Sequence, residues 1–272
     1  LEGHEICTAA RTTPVVSPRP GYMERDMDEL WQANCGCIRP VLQQSGIAAE
    51  SIIGVAVCGH GKGLYLWGKD SRPAYPGIGT TDNRAWRGTE QWYRDGTFER
   101  VYPQICQRLL PCQQAALLRW MKDTRPEVYR NIQFVFSAKD YIRFRLTGQA
   151  FSEATDISGS GLMDVKNGRF CRDLLESLGI GEVYDALAPL RNSSDLCGQI
   201  TDAAASATGL RPGTPVAGGM FDVDACAIAS AVTRPGQICT ITGTWSINEF
   251  ISDRPILGTA IAMNSLYAIP GY

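Results

Sequence analysis

The sequence predicts a layered α/β domain, and three observations carry that prediction. Two apolar runs, "SIIGVAVCG" and "IQFVFSA", have strand length and no polar alternation, as strands buried on both faces do. Around them lie stretches with helical spacing, such as "DMDELWQANCGCIRPVLQQSG" and "QQAALLRWMKDTRPEVYR". No low-complexity linker and no short-period repeat divides the 272 residues, a length suited to one large domain or two small ones.

Taken in order, the chain opens with "LEGHEICTAARTTPVVSPRPGYMERD", which reads as the end of a hairpin and then an extended segment with prolines. The helix that follows should start at Asp26 as its cap, with Glu29 at the reciprocal capping-box position. Pro40 should kink or shorten it, and Gly46 should end it. After "SIIGVAVCG" comes "GLYLWG" and the turn "KDSRP", which suggests a second strand returning beside the first. "TDNRAW" should begin a helix that runs to about Asp95. The next helix should break at Pro126, ahead of the strand "IQFVFSA". "KDYIRFRLTG" reads as a short amphipathic surface helix closed by Gly148, with Lys139 and Asp140 in its first turn. "FSEATDISGSGLMDV" reads as Asx and Ser turns around Asp156 and Ser158. "RFCRDLLESLGI" is one more helix, "TPVAGG" a strand, "VDACAIASAV" a helix, and "QICTITGTWSINEFIS" strands around a Gly-Thr turn.

Composition narrows the function. Hydrophobic residues make up 44% and charged residues 20%, with a net charge of −2, so no general attraction to nucleic acid or to an anionic membrane surface is expected. The ten cysteines include one close pair, Cys35 and Cys37, and the histidines are His4 and His60 alone, which does not spell a structural metal site. Cys58 and Cys226 sit in apolar runs and read as small buried hydrophobes in a reducing compartment. No signal peptide or membrane-length run is visible, so a cytoplasmic location is expected.

Four stretches could carry chemistry. "VCGHGKGLYL" places His60 and Lys62 among glycines at the carboxyl end of a strand, where α/β sheets bind ligands; a tight hairpin facing water is the equal alternative. In "TTDNRAW", Asp82 either caps a helix or accepts bonds from sugar hydroxyls, beside Arg84. "TITGTWS" offers hydroxyls and backbone N–H groups of the kind that hold phosphate, or an ordinary hairpin. "GGMFDVDACAIASA" puts Asp222 and Asp224 where a strand meets a helix, as caps or as a base. No G-x-S-x-G elbow supports a hydrolase built on His60.

In this order, "GYMERDMDELW", "GVAVCGHGKGLYL", "GTTDNRAW", "SAKDYIRFRLTG", "ATDISGSGLMDV", "GTPVAGGMFDVDACA" and "ITGTWS" resemble the FGGY carbohydrate kinases over nearly the whole chain. The resemblance implies two ribonuclease H-like (actin-like ATPase) domains with mixed sheets and flanking helices, a cleft between them, and ATP and Mg2+ as cofactors. It implies transfer of the γ-phosphate to a hydroxyl of a small-molecule sugar, with a ketopentose such as L-xylulose the expected substrate. The family's Gly-Gly-x-x-Asp stretch falls on Gly218, Gly219 and Asp222, which makes Asp222 the expected base and leaves Asp224 as a cap. His60, Lys62, Asp82 and Arg84 are the implied sugar contacts, and Thr242, Gly243 and Thr244 the implied nucleotide contacts. Residues 1–250 are expected to form the sugar-binding N-terminal domain without its first hairpin, and 251–272 to begin a C-terminal nucleotide domain. A chain of this extent is expected not to turn over ATP alone. Its bared domain face would favour self-association, and a homodimer is kept among the expectations. A non-catalytic sugar-binding regulatory module is the rival from another class.

Overall fold

The computed structural model describes residues 3–242 and 246–272. Its fold is mixed α/β, with helices packed around small paired strands. The first helix, Met27–Ser45, starts where expected: Asp26 accepts a bond from the Glu29 N–H at 2.8 Å, and Gly46 closes it at φ 65°. Pro40 lies inside that helix and does not end it. Pro126 does what an N1 proline does, separating Gln114–Thr124 from a new short helix, Pro126–Asn131. The helix after "TDNR" begins later than expected, at Trp86. Helices Thr97–Ile105 and Asp202–Thr208 had no counterpart in the sequence reading.

The strand Tyr65–Gly68 is antiparallel to Ile132–Phe136, not to the run before it. This pair divides the core. Leu64, Leu66, Ile132 and Val135 join one apolar cluster with the helices Thr97–Ile105 and Gln114–Thr124. Tyr65, Trp67, Phe134 and Phe136 face the other, between Met27–Ser45 and Ala138–Thr147. The period of two along residues 64–67 and 134–136 feeds two layers at once, and the irregularity opposite Trp67 and Gly68 returns Ile132 to the first of them.

The run "SIIGVAVCG" behaves differently from a strand covered on both faces. It pairs in parallel with the segment after residue 214: Val55 opposes Val216, Cys58 opposes Met220 and Gly59 opposes Phe221. Ile53 and Cys58 are exposed, since no described strand covers the outer side of the run. Cys226 is exposed as well, whereas Cys35, Cys106, Cys112, Cys197 and Cys239 are buried. Among the described residues no helix is long and apolar enough to cross a membrane.

Helix Ala138–Thr147 is the largest departure. Ser137 caps it and Gly148 ends it, yet it is no surface helix: Lys139, Asp140 and Arg143 are all buried. The "ATDISGSG" stretch is also interior, built from a short helix Ala154–Ile157 and a 3-10 turn.

Candidate active site

Gly218 and Gly219 create the site by letting two segments touch. Gly219 stands at φ 78°, and a Cβ there would overlap the Val57 carbonyl oxygen; at Gly218 it would overlap the Asn192 carbonyl. The chain then turns through Met220–Phe221 into helix Asp222–Ala229. Asp222 is therefore the first helical residue, where the helix dipole favours a negative charge. It is half-buried and lines a cleft of about 860 Å³.

His60 and Lys62 line the same cleft. Burial lowers the His60 pKa below its usual value, against smaller opposing pulls from the Gly61 carbonyl and then Asp222, so the ring is neutral near pH 7. The Gly61 carbonyl, 3.2 Å from Nδ1, can only accept, which assigns the ring proton to Nδ1. Nε2 then accepts from the Tyr65 hydroxyl at 3.1 Å, so both ring nitrogens are engaged. Lys62 adopts φ 61°, a left-handed backbone that a non-glycine residue holds only at a cost. The opposite wall is strand Ser246–Phe250 and parts of the segment 251–272.

Asp224 is not a cap. Phe221 occupies the cap position with no side-chain bond, and Asp224, 1% exposed, lies with Glu249 among the residues lining the same cleft. Among the described residues neither of its oxygens has a hydrogen-bond partner, and Glu249 Oε2 has none either. Burial first, and Glu249 next, push the Asp224 carboxyl well above the usual carboxylate range; burial also raises Glu249. Asp224 is the deeper of the two, so burial favours its protonated form more strongly.

Asp82 and Arg84 are not brought to that cleft lining with open valences. Arg84 grips Asp82 at 2.9 Å and Glu24 at 2.8 Å, with its own side chain fully enclosed. Asp82 also accepts from the N–H groups of Met23 and Arg84. The guanidinium lies over the rings of Tyr22 and Trp120 at 4.2 and 5.0 Å. The pair latches residues 22–24 to the domain. Thr242 ends the strand Ile238–Thr242, exposed and opposite Ser246; Gly243 and Thr244 lie outside the described residues.

The sequence reading missed Glu249, Tyr65 and Thr155. Glu249 and Asp224 are 25 positions apart in different elements, so no local pattern links them. Among the described residues, no three His, Cys, Asp or Glu side chains converge as a metal site.

Residues 1–229 match the FGGY family of carbohydrate kinases, N-terminal domain. The chain is 38% identical over 251 residues to L-xylulose/3-keto-L-gulonate kinase of Escherichia coli strain K12, covering 92% of this chain and 50% of that protein. It is 36% identical over 233 residues to a probable L-xylulose kinase of Pasteurella multocida, covering 86% and 48%. The chain thus spans about half the length of the curated relatives it matches. Among solved structures, xylulose kinase from Rhodospirillum rubrum superposes with a TM-score of 0.83 at 26% identity, over 98% of this chain and 54% of that one.

Proposed function

The chain belongs to the FGGY family of carbohydrate kinases, and from that premise we propose that it supplies the sugar-binding part of an enzyme that phosphorylates a ketopentose such as L-xylulose with ATP. In this reading residues 1–250 form a ribonuclease H-like, sugar-binding unit, and residues 251–272 begin the nucleotide-binding one. The observation that carries it is Asp222: a carboxylate at a helix N-terminus, lining an open cleft beside His60 and Lys62.

The chemistry follows from that placement. An alcohol is a poor nucleophile until its proton has somewhere to go. As the sugar oxygen bonds to the γ-phosphorus, its proton passes to Asp222. The bond from that phosphorus to the β,γ-bridging oxygen breaks, and ADP leaves. Positioning and charge stabilisation supply most of the rest in phosphoryl transfer. Lys62 is assigned to the sugar and its transferring group; His60, neutral and fixed by Tyr65 and Gly61, shapes the sugar wall. Asp82 and Arg84 act on the sugar through the segment 22–24 that they hold. Thr242, Gly243 and Thr244 are assigned to the nucleotide phosphates. Mg2+ is expected to arrive with ATP; among the described residues no three His, Cys, Asp or Glu side chains converge to hold it. A homodimer belongs to the same proposal, supported by exposed Ile238 on the strand Ile238–Thr242.

The test is ADP release by the intact gene product with L-xylulose, L-ribulose, D-xylulose, D-ribulose, glycerol, erythritol and gluconate. L-Xylulose should give the highest kcat/KM. Asp222→Asn should lower kcat by about 10²–10⁴-fold with sugar binding still measurable. Sugar binding without turnover of any sugar would favour the non-catalytic module. Loss of turnover in Asp224→Asn but not in Asp222→Asn would move the base.

A further inference from the structure

Behind the segment 218–222 lies a cluster of charge shut off from water, none of it lining the cleft. Lys139 Nζ stands 2.8 Å from Asp140 Oδ1, 3.1 Å from Glu153 Oε2 and 3.8 Å from Asp156 Oδ2. Arg143 Nη1 lies 2.8 Å from Asp140 Oδ1. Taking such ions out of water is costly, and apolar residues of the same volume often hold a core as well or better. Stability alone does not account for the cluster.

What the cluster touches does account for it. Arg143 Nη1 donates to the Gly218 carbonyl at 2.6 Å. Ser193 Oγ donates to Glu153 Oε1 at 2.8 Å, while the Ser193 carbonyl accepts from the Gly219 N–H at 3.0 Å. Thr155 Oγ1 donates to Glu153 Oε2 at 2.7 Å and accepts from the Phe221 N–H at 2.9 Å. Backbone groups at 218, 219 and 221 are therefore all held, and Asp222 comes next in the chain. Thr155 makes the last of these grips. Its proton is committed to Glu153, whose charge Lys139 neutralises, so the lone pair that meets the Phe221 amide has a fixed direction.

We infer that Thr155, locked by the Lys139–Glu153 ion pair, is a positioning residue for Asp222: it sets the backbone at Phe221 and thereby the direction in which the Asp222 carboxylate enters the cleft. This rests on the kinase reading above, with Asp222 as the base. Geometry at this level matters because a displacement of about 1 Å at a reacting group can cost about 10²-fold in rate.

Thr155→Val removes the hydroxyl and keeps the volume, while Thr155→Ser keeps the hydroxyl. In the intact gene product, kcat should fall about 10- to 100-fold in Thr155→Val with little change in the sugar KM. Thr155→Ser should recover most of it. A Thr155 that served folding alone would lower the thermal midpoint of Thr155→Val and leave kcat per folded molecule unchanged, and that result overturns the inference. Lys139→Met strands carboxylates without their counter-charge and can block folding, so the threonine variants carry the test. Asp222→Asn measured alongside separates the two levels. Wild-type turnover in Asp222→Asn overturns the base assignment and this inference with it. Loss of turnover in Asp222→Asn, combined with full kcat in Thr155→Val, overturns this inference alone.

Discussion

Replacing Asp224 by Asn should stabilise the protein, and more so as the pH rises. Asp224 is 1% exposed, and among the described residues neither of its oxygens has a hydrogen-bond partner of good geometry; the Thr155 hydroxyl beside it offsets burial only in small part. Its acidic neighbours are Glu249 and Glu153. With both Asp224 and Glu249 ionised, two carboxylates face each other out of water; with a proton on Asp224, its O–H can donate to Glu249. An amide is almost the same shape and always has a hydrogen to give. A bond to a charged acceptor is worth about 1.5–3 kcal/mol, so the gain at pH 8 should be on the order of 1–3 kcal/mol. For a chain of this size that is a midpoint shift of several degrees, at roughly 2–4 °C per kcal/mol. The direction with pH follows from where the protons sit. The folded-state values of Asp224 and Glu249 lie above their ordinary 3.8 and 4.5. The folded protein therefore holds these protons more tightly than the unfolded chain does. That contribution is complete below about pH 4 and is lost as the pH climbs through the raised folded values. Wild type and Asp224→Asn should be closest in acid and diverge toward neutrality. Thermal melts of the intact protein at pH 5 and pH 8, followed by circular dichroism, decide it. A variant less stable than wild type at pH 8, or a gap that does not change with pH, would refute the reasoning.

Three further outcomes are expected. Gly219→Ala should cost about 2 kcal/mol or more, because the new Cβ meets the Val57 carbonyl at a backbone angle of φ 78°; chemical denaturation measures this. Asp82→Ala should destabilise by about 3–5 kcal/mol, since it leaves the enclosed Arg84 side chain with Glu24 as its remaining carboxylate; a raised sugar KM at unchanged stability would instead make Asp82 a direct ligand. Lys62→Ala should raise KM for the preferred sugar much more than KM for ATP, and equal effects on both would take Lys62 out of the sugar site.

Local signals were legible and distant ones were not. The Asp26 cap, the stops at Gly46 and Gly148 and the break at Pro126 all depend on a few neighbouring residues, and all could be read from them. The Gly-Gly-x-x-Asp stretch was legible as a family pattern, but not its packing: in the structure both glycines have a carbonyl against them. The partner of Tyr65–Gly68 was misplaced because strand pairing is decided by the core across the whole chain, and Ile132–Phe136 had the same apolar claim. Lys139 read as solvated because lysine usually is; its counter-charges Glu153 and Asp156 come from another element. Asp224 read as a cap for a similar reason: its spacing fitted, and what buries it lies far along the chain. Cys58 and Cys226 sit in apolar runs whose outer sides no described element covers.

The parallel pairing of Cys58–Gly59 with Met220–Phe221 also has a cost during synthesis. The two segments are roughly 160 residues apart, and Arg39 bonds Ser206 across a separation of 167. A ribosome adding about 5–20 residues per second needs on the order of ten to thirty seconds to close that gap. Through that interval the run "SIIGVAVCG" is outside or leaving the tunnel with its only described strand partner not yet made. Contacts this far apart form slowly even in a finished chain. Holding chaperones that cover the run during that interval should therefore raise the yield on overexpression, measured as soluble protein with and without their co-expression.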